Sequence, residues 1–93
     1  MLIGTAQITL YAPWVHSLKE KRMVVNSLLA KVRNQFHASA AEIDCQDVHQ
    51  TIVIGIACVA GTAALADSVI DHAVNFIESS TEAEITDVLK EIR

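Results

Sequence analysis

The run T-I-V-I-G-I-A-C-V-A, residues 51–60, is apolar at nearly every position. A strand that is apolar on both faces usually lies in the centre of a sheet or beneath a partner. Because alternate residues of a strand point to opposite faces, the three isoleucines of the run cannot share a face with its two valines. The run therefore predicts an inner strand that leaves some apolar surface on the outer side of the sheet.

The segment before this run predicts a strand followed by a helix. Leu2 to Tyr11 alternates between the two faces of a half-buried strand, which Pro13 ends. Ser17 is an N-cap residue with Glu20 in the capping-box position, and apolar residues then recur at helical spacing. We expect this helix to reach about Gln35.

The remaining segments complete a βαββαβ order. Residues 37–45 predict a second strand, Thr62 an N-cap for a second amphipathic helix, and Ala83 to Ile92 a final strand. Two right-handed crossover units joined by a hairpin give an α+β, ferredoxin-like sandwich. We therefore expect a four-stranded antiparallel sheet with both helices on one face, and a single domain over residues 1–93.

Composition narrows the class of protein. The chain has 93 residues, 52% of them hydrophobic and only 4% aromatic, which favours one small domain with an aliphatic core. The first residues show no signal-peptide pattern, and the longest apolar run, Ile52 to Ala60, is nine residues, about half of a membrane span. We expect a cytoplasmic protein without a membrane segment.

This chain lacks the residues that three familiar functions of the ferredoxin-like fold require. No Cys-x-x-Cys follows the first strand to carry a metal, and the open face of the central strands lacks the aromatic residues of an RNA-recognition sheet. The loop of residues 12–17 lacks the glycines and the arginine that acylphosphatase-like chemistry needs. We expect no metal, no cofactor and no enzymatic activity.

Positive charge is concentrated near the start of the first predicted helix. Five of the seven lysines and arginines, but only one acid, lie in the first 36 residues, while the other ten acids follow them. The segment S-L-K-E-K-R, residues 17–22, places Lys19, Lys21 and Arg22 at a helix N-terminus, where the helix dipole disfavours cations. Cations in this position indicate a site for phosphate or for an acidic partner.

A row of polar and basic side chains lies on one flank of this helix, over roughly 21 Å: Lys19, Arg22, Asn26 and Arg33. Such a flank can follow a nucleic-acid backbone by charge alone. Trp14 and His16, just upstream, would add a stacking surface and a titratable contact. In the alternative interpretation, the lysine and arginine stems cover the edge of the core and Trp14 caps one end of it.

A polar turn, residues 44–49, joins the second and third predicted strands. Its Cys45, Asp47 and His49 suggest either a nucleophile with a base or half of a metal site. Two candidate metal ligands do not complete a tetrahedral site, and polar surface turns are common. A plain surface turn is the preferred interpretation, and an enzyme that uses these three residues is a minor hypothesis.

The blocks S-L-K-E-K-R at residues 17–22 and A-E-I-D-C-Q-D-V-H-Q at residues 41–50, together with the element order, resemble the YlxP-like family of small bacterial proteins of unknown function. The resemblance covers essentially the whole chain and implies a ferredoxin-like fold. Members are often encoded beside transcription and translation factors, and a ribosome-binding role has been suggested for some, which implies an RNA or ribosomal surface.

The turn departs from the pattern of that family. Where the family usually reads His-Gln-Asp-Leu-Trp-Gln, this chain has Cys45 for the histidine and His49 for the tryptophan. Gln46 and Asp47 match the pattern, and we expect them to tie the hairpin to the first helix.

Two hypotheses of function follow. The first is a non-enzymatic domain that binds structured RNA or the ribosome, with Lys19, Lys21, Arg22 and Arg33 on phosphates. The second is a structural module that acts through homo-oligomerisation by way of the open sheet face.

Overall fold

The computed structural model describes all 93 residues, and its elements follow the predicted order. They are β1 (Leu2–Tyr11), α1 (Leu18–Gln35), β2 (Ser39–Asp44), β3 (Thr51–Ala60), α2 (Ala63–Ser80) and β4 (Glu84–Ile92). The four strands form one antiparallel sheet in the order β2-β3-β1-β4, with both helices on one face. The predicted ferredoxin-like fold is confirmed.

The run at residues 51–60 is an inner strand, as predicted. β3 pairs with β1 along its full length, from Leu2 opposite Ala60 to Tyr11 opposite Thr51, and with β2 on its other side. Its three isoleucines are at most 3% exposed and belong to the core beneath the helices. Val59, on the opposite face, is 67% exposed.

Each helix begins at the residue that its capping pattern predicts. Ser17 has an extended backbone, and its hydroxyl oxygen accepts a hydrogen bond from the Glu20 amide at 3.1 Å. Thr62 accepts from the Leu65 amide at 3.1 Å in the same way. The caps satisfy amides that have no partner within the helix.

Close packing of α2 on the sheet depends on Gly4 in β1. A β-carbon at this position would lie 3.1 Å from Ile70 Cγ1 and 3.2 Å from the Ala66 carbonyl oxygen. The absence of a side chain therefore allows α2 to approach β1 closely.

Two further features of the fold concern the start of β2 and the character of the helices. β2 begins at Ser39 rather than at residue 37, because Phe36 turns inward and packs edge-on against Phe76, with ring centres 5.5 Å apart. In addition, neither helix is long and apolar enough to cross a membrane.

Candidate nucleic-acid interface

Lys21 was predicted to contact an external anion, and this prediction is wrong. Lys21 is only 1% exposed, the one charged residue among the buried side chains. Its ammonium group donates a hydrogen bond to the Cys45 carbonyl oxygen and lies 3.0 Å from Glu42 Oε2. Because Lys21 stands on the same stripe of α1 as Val25 and Leu28, packing of that stripe carries the lysine into the interior.

The ion pair of Lys21 joins α1 to the edge strand β2. The Glu42 side chain is 19% exposed, so this pair is largely removed from water. Glu42 Oε2 is buried and has no hydrogen bond in favourable geometry, so its charge is balanced by the nearby ammonium group alone. A charge in this position is costly without its partner, which makes the pair a structural tie rather than a binding site.

The turn between β2 and β3 is held by residues other than the predicted ones. Gln50 donates from Nε2 to the carbonyl oxygens of Pro13, at 2.9 Å, and Val15, at 3.3 Å. Cys45 has a left-handed backbone, with φ of 55°, and its carbonyl oxygen accepts from Lys21. Gln46 and Asp47 are exposed and their side chains make no hydrogen bond, so the expectation that they tie the hairpin to α1 is wrong.

Part of the predicted basic flank of α1 is open to solvent. Lys19, Arg22 and Asn26 are exposed, and none of them takes part in an ion pair or a side-chain hydrogen bond. The three ion pairs of the molecule join other residues. Lys19 and Arg22 therefore form an unneutralised positive surface on the first two turns of α1.

Arg33 continues this flank but is partly engaged. One of its guanidinium nitrogens, Nη2, donates to the Ala40 carbonyl oxygen of β2. The residue is exposed, and its other guanidinium N–H groups have no partner within the protein. The contact shows that the flank lies on the β2 side of α1, where helical spacing also places Arg22 and Asn26.

Trp14 and His16 do not form one surface. Trp14 is 39% exposed and lines a hollow on the α2 side of α1, with Met23 and Lys31. His16 lies apart from it, beside the turn of residues 45–50. Trp14 therefore stands on the other side of α1 from Arg22 and Arg33.

A second hollow, which we call the histidine hollow, lies where the end of β1, the loop between β1 and α1 and the 45–50 turn meet. It is an open depression of about 550 Å³ and is lined by Tyr11, Val15, His16, Asp47, Val48, His49, Gln50 and Thr51. Asp47 and His49 thus share a cavity with His16, whereas Cys45 does not line it. No three His, Cys, Asp or Glu side chains are grouped so that they could hold a metal ion.

The open face of the sheet carries a shallow trough of about 610 Å³. Gly55 and Ala57 of β3 give it a floor of small residues, and Ile43 of β2 and Leu89 of β4 stand at its sides, 47% and 58% exposed. Its exposed apolar side chains therefore come from β2 and β4, and of the two valines that the 51–60 run predicts on the outer side of the sheet, Val59 is exposed whereas Val53 is buried.

Negative charge lies on the other side of the molecule, on α2 and β4. There the only lysine, Lys90, lies 2.5 Å from Asp71. The hydrogen bond from Lys90 to Asp71, aided by the negative charge of that carboxylate, raises the pKa of Lys90 above its ordinary value of 10.5. The α2 and β4 side therefore has no unpaired lysine to match the unpaired cations on the flank of α1.

Two of these features carried a signal in the sequence. Lys21 lies four residues before Val25 and seven before Leu28, so helical spacing places it on the apolar stripe. The histidine hollow follows from the pairing of β1 with β3, since Tyr11 opposite Thr51 brings the segments beyond both strand ends together. The ion pair with Glu42 had no comparable signal.

Comparisons with known proteins agree with the fold and the motifs. The family model described as "Protein of unknown function (DUF503)" matches residues 3–90. The uncharacterized protein YlxP of Bacillus subtilis (strain 168) is 35% identical over 85 residues, which cover 91% of this chain and 92% of that protein. A de novo designed protein with a ferredoxin fold, LFR1 1, superposes on 100% of this chain and 86% of its own with a TM-score of 0.60, and at 18% identity it bears on the fold alone. The chain therefore belongs to the DUF503 family of proteins of unknown function and is similar to YlxP.

Proposed function

We propose that this protein is a non-enzymatic binding domain that holds structured RNA, free or in the ribosome, by its phosphates. The contacts come from the exposed cations of α1, Lys19 and Arg22, with Arg33 further along the same flank. Lys21 has no part in this contact, because its ammonium group is used inside the protein.

The observation that carries the proposal is the unpaired state of Lys19 and Arg22. They lie on the first two turns of α1, where the helix dipole gives no compensation for positive charge. No carboxylate lies within ion-pair distance of either, although the protein contains eleven acids. An external polyanion would neutralise this surface, whereas the acidic side of the molecule would turn away from it.

The shape of the flank suits a nucleic-acid backbone. Lys19 and Arg33 are fourteen positions apart on one helix, so their α-carbons are separated by roughly 21 Å. This span exceeds the distance between neighbouring phosphates of one strand, so several phosphates can lie along the flank. Asn26, between the two ends, adds an uncharged hydrogen-bonding group.

Fluorescence anisotropy of a labelled RNA hairpin, titrated at several salt concentrations, tests the proposal. The Lys19→Ala/Arg22→Ala double variant should bind more weakly and flatten the slope of log K against log salt by about 1.4 to 1.8 in total, since each phosphate contact contributes roughly 0.7 to 0.9. The control is Lys31→Ala/Arg93→Ala, which removes the same charge from exposed residues off the flank. Equal loss in both variants, or no loss in either, would contradict the proposal.

A second candidate function, self-association through the open sheet face, is favoured by the trough described above. The same face carries a recess over Gly55 and Ala57 and apolar side chains beside it, Ile43 and Leu89. A two-fold dimer needs a surface that is complementary to itself, and a face with both recess and projection meets that need. Sedimentation equilibrium should show a dimer that Leu89→Glu dissociates, and a monomeric wild-type protein would remove this candidate.

A further inference from the structure

The histidine hollow differs from the rest of the surface in the kind of groups that it exposes. Three flat rings, from Tyr11, His16 and His49, and one carboxylate, from Asp47, line a single concave space of about 550 Å³. All four residues are exposed, and none of their side chains makes a hydrogen bond within the protein. Their polar groups are therefore free to bind a ligand.

The frame of the hollow is held in place from two sides. Gln50 clamps the 12–16 segment through two carbonyl oxygens, and the Ala12 amide donates to the Gln50 carbonyl oxygen at 2.8 Å. Lys21 holds the other end of the turn at Cys45. Because these contacts order the two loops before any ligand arrives, a ligand would not have to organise them.

The chemistry of the hollow selects a nucleobase rather than a phosphate. Tyrosine and histidine rings stack on unpaired bases of RNA loops. A carboxylate repels phosphate oxygens but accepts hydrogen bonds from a base edge that carries donors. Guanine offers two adjacent donors, N1–H and the N2 amino group, which match the two oxygens of Asp47.

The hollow also lies next to the proposed phosphate contacts. His16 is followed at once by the N-cap Ser17, and Lys19 lies within the first turn of α1. A nucleotide whose base enters the hollow would therefore have its backbone near the start of the basic flank.

We infer that the histidine hollow binds one unstacked guanine of an RNA loop, with the base against the rings of Tyr11, His16 or His49 and its donor edge on Asp47. This inference rests on the proposed function, because the affinity of the complex comes mainly from the phosphates on α1. The hollow adds a preference for one base to the phosphate contacts of α1, which depend on charge and not on base identity.

The test uses the full chain and three fluorescein-labelled RNA hairpins with the same stem. Each has a loop of uridines that holds one guanine, one inosine or one adenine. The wild-type protein should prefer the guanine loop to the adenine loop by about tenfold, within the range known for a good bidentate base contact. The inosine loop should fall between them, because inosine lacks the N2 amino group.

Two variants separate the contributions. Asp47→Asn should abolish the preference for guanine over inosine, whereas Asp67→Asn, which alters an exposed aspartate of α2, should retain it. Tyr11→Ala should weaken binding of the guanine loop by about tenfold if that ring is the stacking partner. His49→Ala tests the imidazole ring in the same way, and retention of full affinity in both variants and in His16→Ala would overturn the inference.

The outcomes distinguish the guanine site from the phosphate contact. Equal binding of the three loops by the wild-type protein, with a loss in Lys19→Ala/Arg22→Ala, would overturn the guanine site and leave the phosphate contact in place. Failure to bind any hairpin at low salt would overturn both.

Discussion

Replacement of Lys21 by methionine tests whether the buried ion pair is a structural tie. Methionine keeps an unbranched apolar stem of similar length, so the packing of α1 is largely preserved while the charge is removed. Glu42 would then hold an uncompensated negative charge that is largely removed from water, and the Cys45 carbonyl oxygen would keep only its hydrogen bond from the Val48 amide, at 3.0 Å. The change isolates the electrostatic part of the contact.

The expected loss follows from the burial of the two partners. Breaking a buried ion pair by removal of one side costs about 3 to 5 kcal/mol. Glu42 is 19% exposed, which favours the lower end, about 3 kcal/mol. A domain of this length has a free energy of unfolding of about 5 to 14 kcal/mol, so the loss is a large part of the total. The melting temperature should fall by about 12 to 24 °C.

Urea unfolding followed by far-ultraviolet circular dichroism measures this loss. Lys31→Met, on an exposed lysine of the same helix, is the control and should change the free energy of unfolding by less than about 0.5 kcal/mol. Adding Glu42→Gln to Lys21→Met should recover about 1 to 2 kcal/mol, because it removes the uncompensated charge. A Lys21→Met protein as stable as Lys31→Met would refute the structural role, and so would a double variant no more stable than Lys21→Met.

Two further predictions concern the backbone and the packing of α2. Gly4→Ala should lower the free energy of unfolding by about 1 to 3 kcal/mol, because the new methyl group presses on the backbone and side chains of α2. Gly61→Ala, where a β-carbon meets nothing within 4 Å, is its control, and equal urea midpoints for the two would contradict the packing argument. Cys45→Gly should raise the free energy of unfolding by about 0.5 to 1 kcal/mol in the same assay, since glycine adopts the left-handed backbone without steric cost. Gln46→Gly, at a neighbouring position without a positive φ, should not stabilise, and a gain there equal to that of Cys45→Gly would remove the explanation.

Most of the fold could be predicted from the sequence, because strand and helix patterns depend on local periodicity. The alternation of Leu2 to Tyr11, the caps at Ser17 and Thr62, and the apolar run of β3 each act within a few residues. The order of these elements then leaves few topologies, since crossovers are right-handed and hairpins join neighbours.

The candidate site was less predictable, because its properties depend on contacts between distant residues. The sequence by itself indicates a surplus of cations at the start of α1, and helical spacing places Lys21 but not Lys19 on the apolar stripe, without showing which groups the Lys21 ammonium would meet. Tertiary packing turns the Lys21 side chain inward, onto Glu42 and Cys45, which lie 21 and 24 positions further along the chain. The same packing leaves Lys19 in water.

The same division holds for the histidine hollow. The sequence by itself supplies His16 and His49 as isolated polar residues in two loops, and the 45–50 turn then looks like an ordinary surface turn. Only the pairing of β1 with β3 and the clamp by Gln50 place these rings and Asp47 around one space. Local sequence thus determined the helices and strands through short-range backbone preferences. The environments of the charged and ring-bearing side chains were decided by the tertiary structure, because the sheet brings together segments that are far apart in the chain.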